Sequence, residues 1–157
     1  MSAPRLFSTH FPRTLLPPYV TSCKLNYICR DPKDEHVLSY WKASLDAPDK
    51  ILFLKYEEVK QQPEAMVRKL AAFMSEPFTK EEDEKINMCS FEYLSNLEVN
   101  KTGVFKFGKA EAGNREFFRK GKIGDWQNYM TEEMKERIDG IIHEKLKGSG
   151  LTLGEIA

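Results

Sequence analysis

The sequence predicts an α/β fold in which a parallel sheet is flanked by helices, and three observations carry that expectation. Residues 23–29 form a short apolar-rich run that reads as a strand. Just beyond it, Val37, Leu38, Trp41 and Leu45 recur at helical spacing and make one apolar stripe. Ile51-Leu52-Phe53-Leu54 is then unbroken apolar sequence, as in a parallel strand covered on both faces. Strand, helix and strand at this spacing make a βαβ unit, whose two strands run parallel because a helical crossover joins them.

A chain of 157 residues is expected to form one domain, 1–157, since domains commonly run about 100–150 residues. Lys+Arg and Asp+Glu are equal at 24 each, so no global field draws the protein to nucleic acid or to an anionic membrane. Any anion site must therefore be a local cluster. Cys23, Cys29 and Cys89 are odd in number and lack paired metal-ligand spacing, which fits a reducing compartment, no metal, and three buried small hydrophobes. No stretch approaches the roughly 18 apolar residues of a membrane helix, and the first residues lack an apolar signal core, so a cytoplasmic protein is expected.

Along the chain, four prolines in residues 1–20 forbid a long helix and leave a short strand around Leu6, followed by loop. His10 lies just after that strand; a lone histidine is more often a surface or core residue than a catalyst. Arg30 ends the strand of residues 23–29. Ligands of open α/β sheets bind outside the carboxyl ends of strands, so Arg30 emerges where an anion can be held, unless it pairs with Asp31 or Asp34. From Pro63 the positions Val67, Leu70, Ala71 and Met74 predict a helix. Thr79 and Glu82 resemble a capping box opening another, with the acidic run 81–84 as a solvated helix start. Phe91, taken alone, reads as a core residue, and residues 96–103 read as a loop. A final helix begins at Thr131, carries Met134, Ile138, Ile141, Ile142 and Leu146, and stops at Gly148.

The stretch on which the chemistry turns is Phe117-Phe118-Arg119-Lys120-Gly121-Lys122-Ile123-Gly124-Asp125-Trp126. Arg119, Lys120 and Lys122 put three cations into four positions beside glycines that allow close backbone approach, so a phosphate is the natural guest. The bland alternative is a solvated basic turn.

Arg-Lys-Gly followed by Gly-Asp-Trp resembles the C-terminal signature of the soluble sulfotransferases of plant type. Tyr-Ile-Cys-Arg-Asp-Pro-Lys-Asp, residues 27–34, resembles the same family's second 3′-phosphate motif. Thr-His-Phe-Pro followed by Leu-Leu-Pro resembles the segment whose histidine is the general base. The resemblance implies a truncated sulfotransferase fold, P-loop-like, with part of a doubly wound parallel sheet. It also implies transfer of a sulfuryl group from 3′-phosphoadenosine 5′-phosphosulfate (PAPS) to a hydroxyl of a small molecule. On that basis His10 is the catalytic base, a task to which histidine side chains are suited near neutral pH. Arg30, Arg119, Lys120 and Gly121 hold the 3′-phosphate, while Cys89, Ser90 and Phe91 lie against the adenine with Phe91 stacking on it.

The sequence also departs from that family. Relatives carry a phosphate-binding serine eight residues after the arginine; Leu38 stands at that spacing, and Ser39, one position late, is rotated by about 100° on a helix. Residues 35–45 match a later family helix better, so an internal segment is expected to be missing after Asp34, and with it the serine and a tyrosine near the adenine. The Lys-Ser-Gly-Thr-Thr-Trp loop of relatives, which holds the 5′-phosphosulfate, has no counterpart in these residues. Two expectations follow: a sulfotransferase, or a catalytically inactive nucleotide-binding or interaction fragment of that family. The family's dimer pattern keeps Thr131 and Glu136 but has Gln127 and Glu132 for its Lys and Val, which favours a monomer. Partners are expected to be a small-molecule hydroxyl acceptor, with no nucleic acid and no membrane. Phe11 and Tyr93 are read as core residues rather than as lining for the acceptor.

Overall fold

A computed structural model describes residues 6–30, 36–79, 82–118 and 120–153. After two 3-10 turns at Arg13–Leu15 and Pro18–Ser22, strand β1 (Leu25–Cys29) leads through helix α1 (Val37–Asp46) to strand β2 (Ile51–Lys55). Helices α2 (Tyr56–Gln61), α3 (Pro63–Met74), α4 (Asp83–Met88), α5 (Phe91–Asn96) and α6 (Glu98–Thr102) follow. A hairpin of β3 (Val104–Phe107) and β4 (Ala110–Gly113) and a long closing helix α7 (Glu132–Leu146) complete the fold.

The parallel pair predicted from the βαβ pattern is present. β1 and β2 run parallel in a register that sets Leu25 beside Ile51 and Cys29 beside Lys55. β2 is buried at Ile51, Leu52 and Leu54, on both of its faces, whereas β1 alternates and leaves Ile28 half exposed. Among the described residues the parallel sheet has two strands, and the protein is α/β with helices around that sheet.

The core is built on α1. Val37 and Cys29 are its most deeply buried side chains, and they meet Leu146 of α7 and Leu151 beyond it, with Tyr27, Leu38, Trp41, Phe53, Ile142 and Leu153 packed around them. The Trp41 indole N–H donates to the Ser149 carbonyl at 3.0 Å, so the burial of a polar tip is satisfied across 108 residues of sequence. Tyr40 stacks on Tyr27 with ring centroids 4.2 Å apart, and its hydroxyl donates to the Phe11 carbonyl at 3.1 Å. That bond ties the N-terminal segment to α1.

Helix ends follow local chemistry. Pro63 opens α3 in its first turn, and α3 ends at Ser75 with φ 67, where the Lys24 ammonium donates to the Phe73 carbonyl and, at 2.7 Å, to the Ser75 hydroxyl. A cation at a helix C-terminus satisfies exposed carbonyls and complements the dipole. The Glu82 carboxylate accepts from the Thr79 N–H at 3.0 Å, one half of the predicted capping box, and Thr131 caps α7 by accepting from the Met134 N–H at 3.3 Å.

Five expectations are corrected. No strand forms around Leu6: residues 6–12 are irregular, and Leu6 and Phe7 are 91% and 82% exposed, because no described strand lies alongside to complete a ladder. Leu45 is exposed, and Tyr40 and Ala43 take its place in the core, since α1 turns the 37/40/43 edge of its surface to the sheet. Residues 96–103 are largely helical rather than loop, with Asn100 and Thr102 side chains bonding back to the Leu94 and Glu98 carbonyls. Of the three cysteines only Cys29 is buried; Cys23 and Cys89 are exposed because they end up in turns. Phe11 and Tyr93 are exposed too, not core. Residues 31–35, which contain the expected internal join and the carboxylates considered as partners for Arg30, lie outside the described residues.

Leu151 is 4% exposed and carries no polar role, so Leu151→Ala tests the core directly. It is expected to destabilise the protein by about 2–4 kcal/mol through lost burial and the cavity left behind, measured by urea unfolding. A change below about 0.5 kcal/mol would mean that the segment after α7 does not help hold α1.

Candidate functional site

The register of the two strands builds the first part of the site. Cys29 stands beside Lys55, so the next residues, Arg30 and Tyr56, leave the sheet as neighbours. The Arg30 guanidinium lies over the Tyr56 ring, 4.9 Å from its centroid. Arg30 is exposed at the carboxyl end of β1, and the aromatic face holds its flat fork while leaving N–H donors for an anion.

Helix α2 begins at Tyr56, and Lys60, one turn further on, reaches the second part of the site. Its ammonium lies 5.4 Å from the centroid of the Phe91 ring. Phe91 is the first residue of α5, aimed there by the turn between α4 and α5. Cys89 caps the end of α4 through its N–H to the Ile86 carbonyl, and the Ser90 hydroxyl caps α5 by accepting from the Tyr93 N–H at 3.1 Å. Cys89 and Ser90 thus form the turn from which Phe91 opens α5.

On Phe91 rests the glycine of the basic loop. Gly121 has φ 59, and a Cβ built there would stand 2.7 Å from two carbons of the Phe91 ring. Only glycine fits both the left-handed backbone and that approach. Phe118 packs at 5.8 Å from Phe91, and Phe117 meets Phe105 of the hairpin edge-on at 5.8 Å, so the aromatic pair before the loop anchors it to α5 and to β3. The Phe91 ring, which the resemblance sets against the adenine, carries Gly121 and lies beside the Lys60 ammonium.

Within the loop the three cations are not equivalent. Lys120 donates to Asp125 Oδ1 at 2.6 Å and to the Tyr129 hydroxyl at 3.1 Å, and lies 5.1 Å from the Tyr129 ring centroid. Its hydrogen bond to Asp125, then that to Tyr129, holds the ammonium above the ordinary lysine value of 10.5. The stabilisation from this pairing is fully present below the ordinary value and fades only as pH rises through the raised one, so it operates throughout the neutral range. Lys122 is exposed, and Arg119 lies outside the described residues. His10 is exposed on the irregular segment, one residue before the carbonyl that Tyr40 holds.

The structure thus joins Arg30, Phe91 and Gly121 into one chain of contacts through Tyr56 and Lys60, and leaves His10 on the segment tethered to α1. Tyr56, Lys60 and Tyr129 are not among the residues expected at the site, and Asp125 stands in that expectation only as part of the Gly-Asp-Trp signature. An aromatic residue directly after a buried parallel strand was the available signal for Tyr56; nothing local marked Lys60 or Tyr129. Among the described residues, no group of three or more His, Cys, Asp or Glu could hold a metal ion, and no helix is long and apolar enough to cross a membrane.

An arginine at the carboxyl end of a parallel strand and a glycine-bracketed cationic loop seated on a neighbouring aromatic ring thus belong to one α/β fold. The chain belongs to the sulfotransferase family: the family model described as a sulfotransferase domain matches residues 1–37 and 35–150, two blocks that meet at the expected internal break. It is 40% identical to cytosolic sulfotransferase 5 of Arabidopsis thaliana over 198 aligned positions, covering 96% of this chain and 60% of that protein. Against a flavonol sulfotransferase-like protein of Flaveria bidentis the identity is 56% over 125 positions, 76% of this chain and 40% of that one. The fold is similar to a mouse sulfotransferase, SULT7A1, solved in complex with PAP, with a TM-score of 0.74, 26% identity, and 90% and 65% of the two chains covered. The chain spans about 60% or less of the length of these curated relatives.

Gly121→Ala is expected to cost about 1–3 kcal/mol, from left-handed backbone strain and the clash with the ring. Thermal unfolding of Gly121→Ala with and without Phe91→Ala checks it. An equal cost in both backgrounds would show that the ring contact contributes nothing.

Proposed function

We propose that this chain forms the 3′-phosphate-binding part of a sulfotransferase that uses PAPS as donor and a small-molecule hydroxyl as acceptor, in the cytosol. The observation that carries the reading is the contact of Gly121 with Phe91, which brings two segments resembling the family's nucleotide motifs together in space. The donor set suits the guest: guanidinium groups of Arg30 and Arg119 match phosphate oxygens in pairs, and backbone N–H groups beside Gly121 add neutral donors. PAP, bound in the mouse neighbour, is the desulfated product of that donor. Adenine is assigned a place beside the Phe91–Phe118 pair.

In transfer, the donor supplies the sulfuryl group, and a new S–O bond to the acceptor forms as the bond from sulfur to the 5′-phosphate oxygen breaks. His10 takes the acceptor hydroxyl's proton during that attack. Its exposed position leaves the ring accessible to a bound acceptor. Proton removal contributes about 10²–10⁴ in rate, whereas holding the reacting atoms in line can contribute about 7–11 kcal/mol of the barrier. The Lys-Ser-Gly-Thr-Thr-Trp type of cradle for the transferring group does not occur in these 157 residues. Nucleotide binding is therefore the stronger of the two activities in this polypeptide. A phenolic hydroxyl, as in the flavonols named for the Flaveria relative, is the assigned acceptor class.

Calorimetry with adenosine 3′,5′-bisphosphate and adenosine 5′-monophosphate tests the reading. The bisphosphate is expected to bind at least about tenfold more tightly, and Arg30→Ala or Arg119→Ala to remove about 1.5–3 kcal/mol of its binding, the worth of hydrogen bonds to a charged group. Equal affinity for the two nucleotides would exclude a 3′-phosphate site. In a radiolabelled-donor assay with a flavonol, this polypeptide is expected to transfer little. Rapid turnover abolished by His10→Ala would mean that the reacting group is held without the missing loop.

A further inference from the structure

Lys120 belongs to the basic loop, yet its ammonium faces inward across it. Lysine has three N–H donors and no acceptor, and two of the three are engaged by Asp125 Oδ1 at 2.6 Å and Tyr129 Oη at 3.1 Å. Asn128 Nδ2 donates to the same carboxylate oxygen at 3.0 Å and to the Asp125 carbonyl at 3.2 Å, which fixes the carboxylate in place. Between Lys120 and Asp125 stand Gly121, Lys122, Ile123 and Gly124, with the two glycines at φ 59 and 79. The side chain therefore closes a ring around a short, glycine-bracketed loop, on the side held by Asp125 and Tyr129.

Such a loop has much backbone freedom to lose when it binds an anion, and anything that holds it in its bound shape beforehand lowers that cost. We infer that the Lys120 side chain is a clasp rather than a phosphate ligand, and that Asp125 and Tyr129 are positioning residues that hold the backbone N–H groups of residues 120–124 ready for the anion. The inference rests on the 3′-phosphate reading above and refines it: Lys120 serves the phosphate through its main chain, while Arg30 and Arg119 supply the side-chain charge. Were Lys120 instead to swing onto the phosphate, it would leave the Asp125 carboxylate beside a second anion, a like-charge contact that opposes binding.

The two arrangements predict opposite signs for one substitution. With a clasp, Asp125→Asn weakens adenosine 3′,5′-bisphosphate binding by about threefold to tenfold, and Lys120→Met does the same with an unchanged salt dependence. The double variant is no weaker than either single one, because both remove the same interaction. Lys120→Arg retains most of the affinity, and Tyr129→Phe, which removes only a hydroxyl, loses less than Asp125→Asn. Hydrogen exchange in the free protein gives a second reading: amides of residues 121–124 exchange faster in Asp125→Asn, with little change in the thermal midpoint. Tighter or unaltered binding by Asp125→Asn would overturn the clasp, as would unchanged exchange in the loop, or a Lys120→Met loss accompanied by a shallower salt dependence. Failure of the native chain to bind the bisphosphate at all would instead overturn the 3′-phosphate reading, and the clasp's purpose with it.

Discussion

The parallel pairing of β1 with β2 is the constraint from which the remainder of the structure follows. Parallel neighbours cannot be joined by a tight turn, so a crossover must rise over the sheet, and α1 is that crossover. On its buried edge Tyr40 stacks on Tyr27 of β1, while Val37 meets Cys29 together with Leu146 of α7 and Leu151 from the far end of the chain. The same pairing makes Arg30 and Tyr56 leave the sheet side by side. A slip of register by one residue would invert the β2 faces and separate that pair.

The forces holding the core and those holding the site differ in scale. Fully burying a residue such as Leu151 is worth about 1.5–3 kcal/mol, while an exposed cation over an aromatic ring contributes about 0.5–1 kcal/mol. The contacts of Arg30 on Tyr56 and of Lys60 on Phe91 therefore orient side chains on a framework that the core already holds. Gly121 shows the reverse relation: its close approach to Phe91 adds little energy by itself, but it excludes any larger residue and so dictates where the loop can lie.

Charge is distributed in the same economical way. A loop with three cations would repel itself, and the protein answers by giving one of them an internal partner, Asp125, while Lys122 faces solvent. The loop thereby presents less free cationic charge than its sequence suggests. Helix caps elsewhere use the same logic on the backbone: Ser90 and Thr131 satisfy N–H groups at the starts of α5 and α7, and Lys24 satisfies carbonyls at the end of α3.

Local order by itself determined much of this protein. The βαβ unit, the helix from Pro63, the Thr131 cap and the glycine-bracketed cationic loop were all legible, because each rests on periodicity or on chemistry within a few residues. Arg30 and the 119–121 run, the residues proposed to hold a phosphate, were singled out on the same local grounds. Local order misled where an outcome depended on a distant neighbour. Residues around Leu6 have strand-like composition, but a strand exists only if another lies beside it, and Cys23, Cys89, Phe11 and Tyr93 are apolar enough for a core that the fold builds elsewhere. Only the tertiary structure decided that Phe91 would seat Gly121, that Lys60 would share that ring, and that Lys120 would turn to Asp125 and Tyr129. Those pairings are set by the register of two strands and the packing of helices far apart in sequence, and the identity of a side chain does not specify which partner the fold will bring to it.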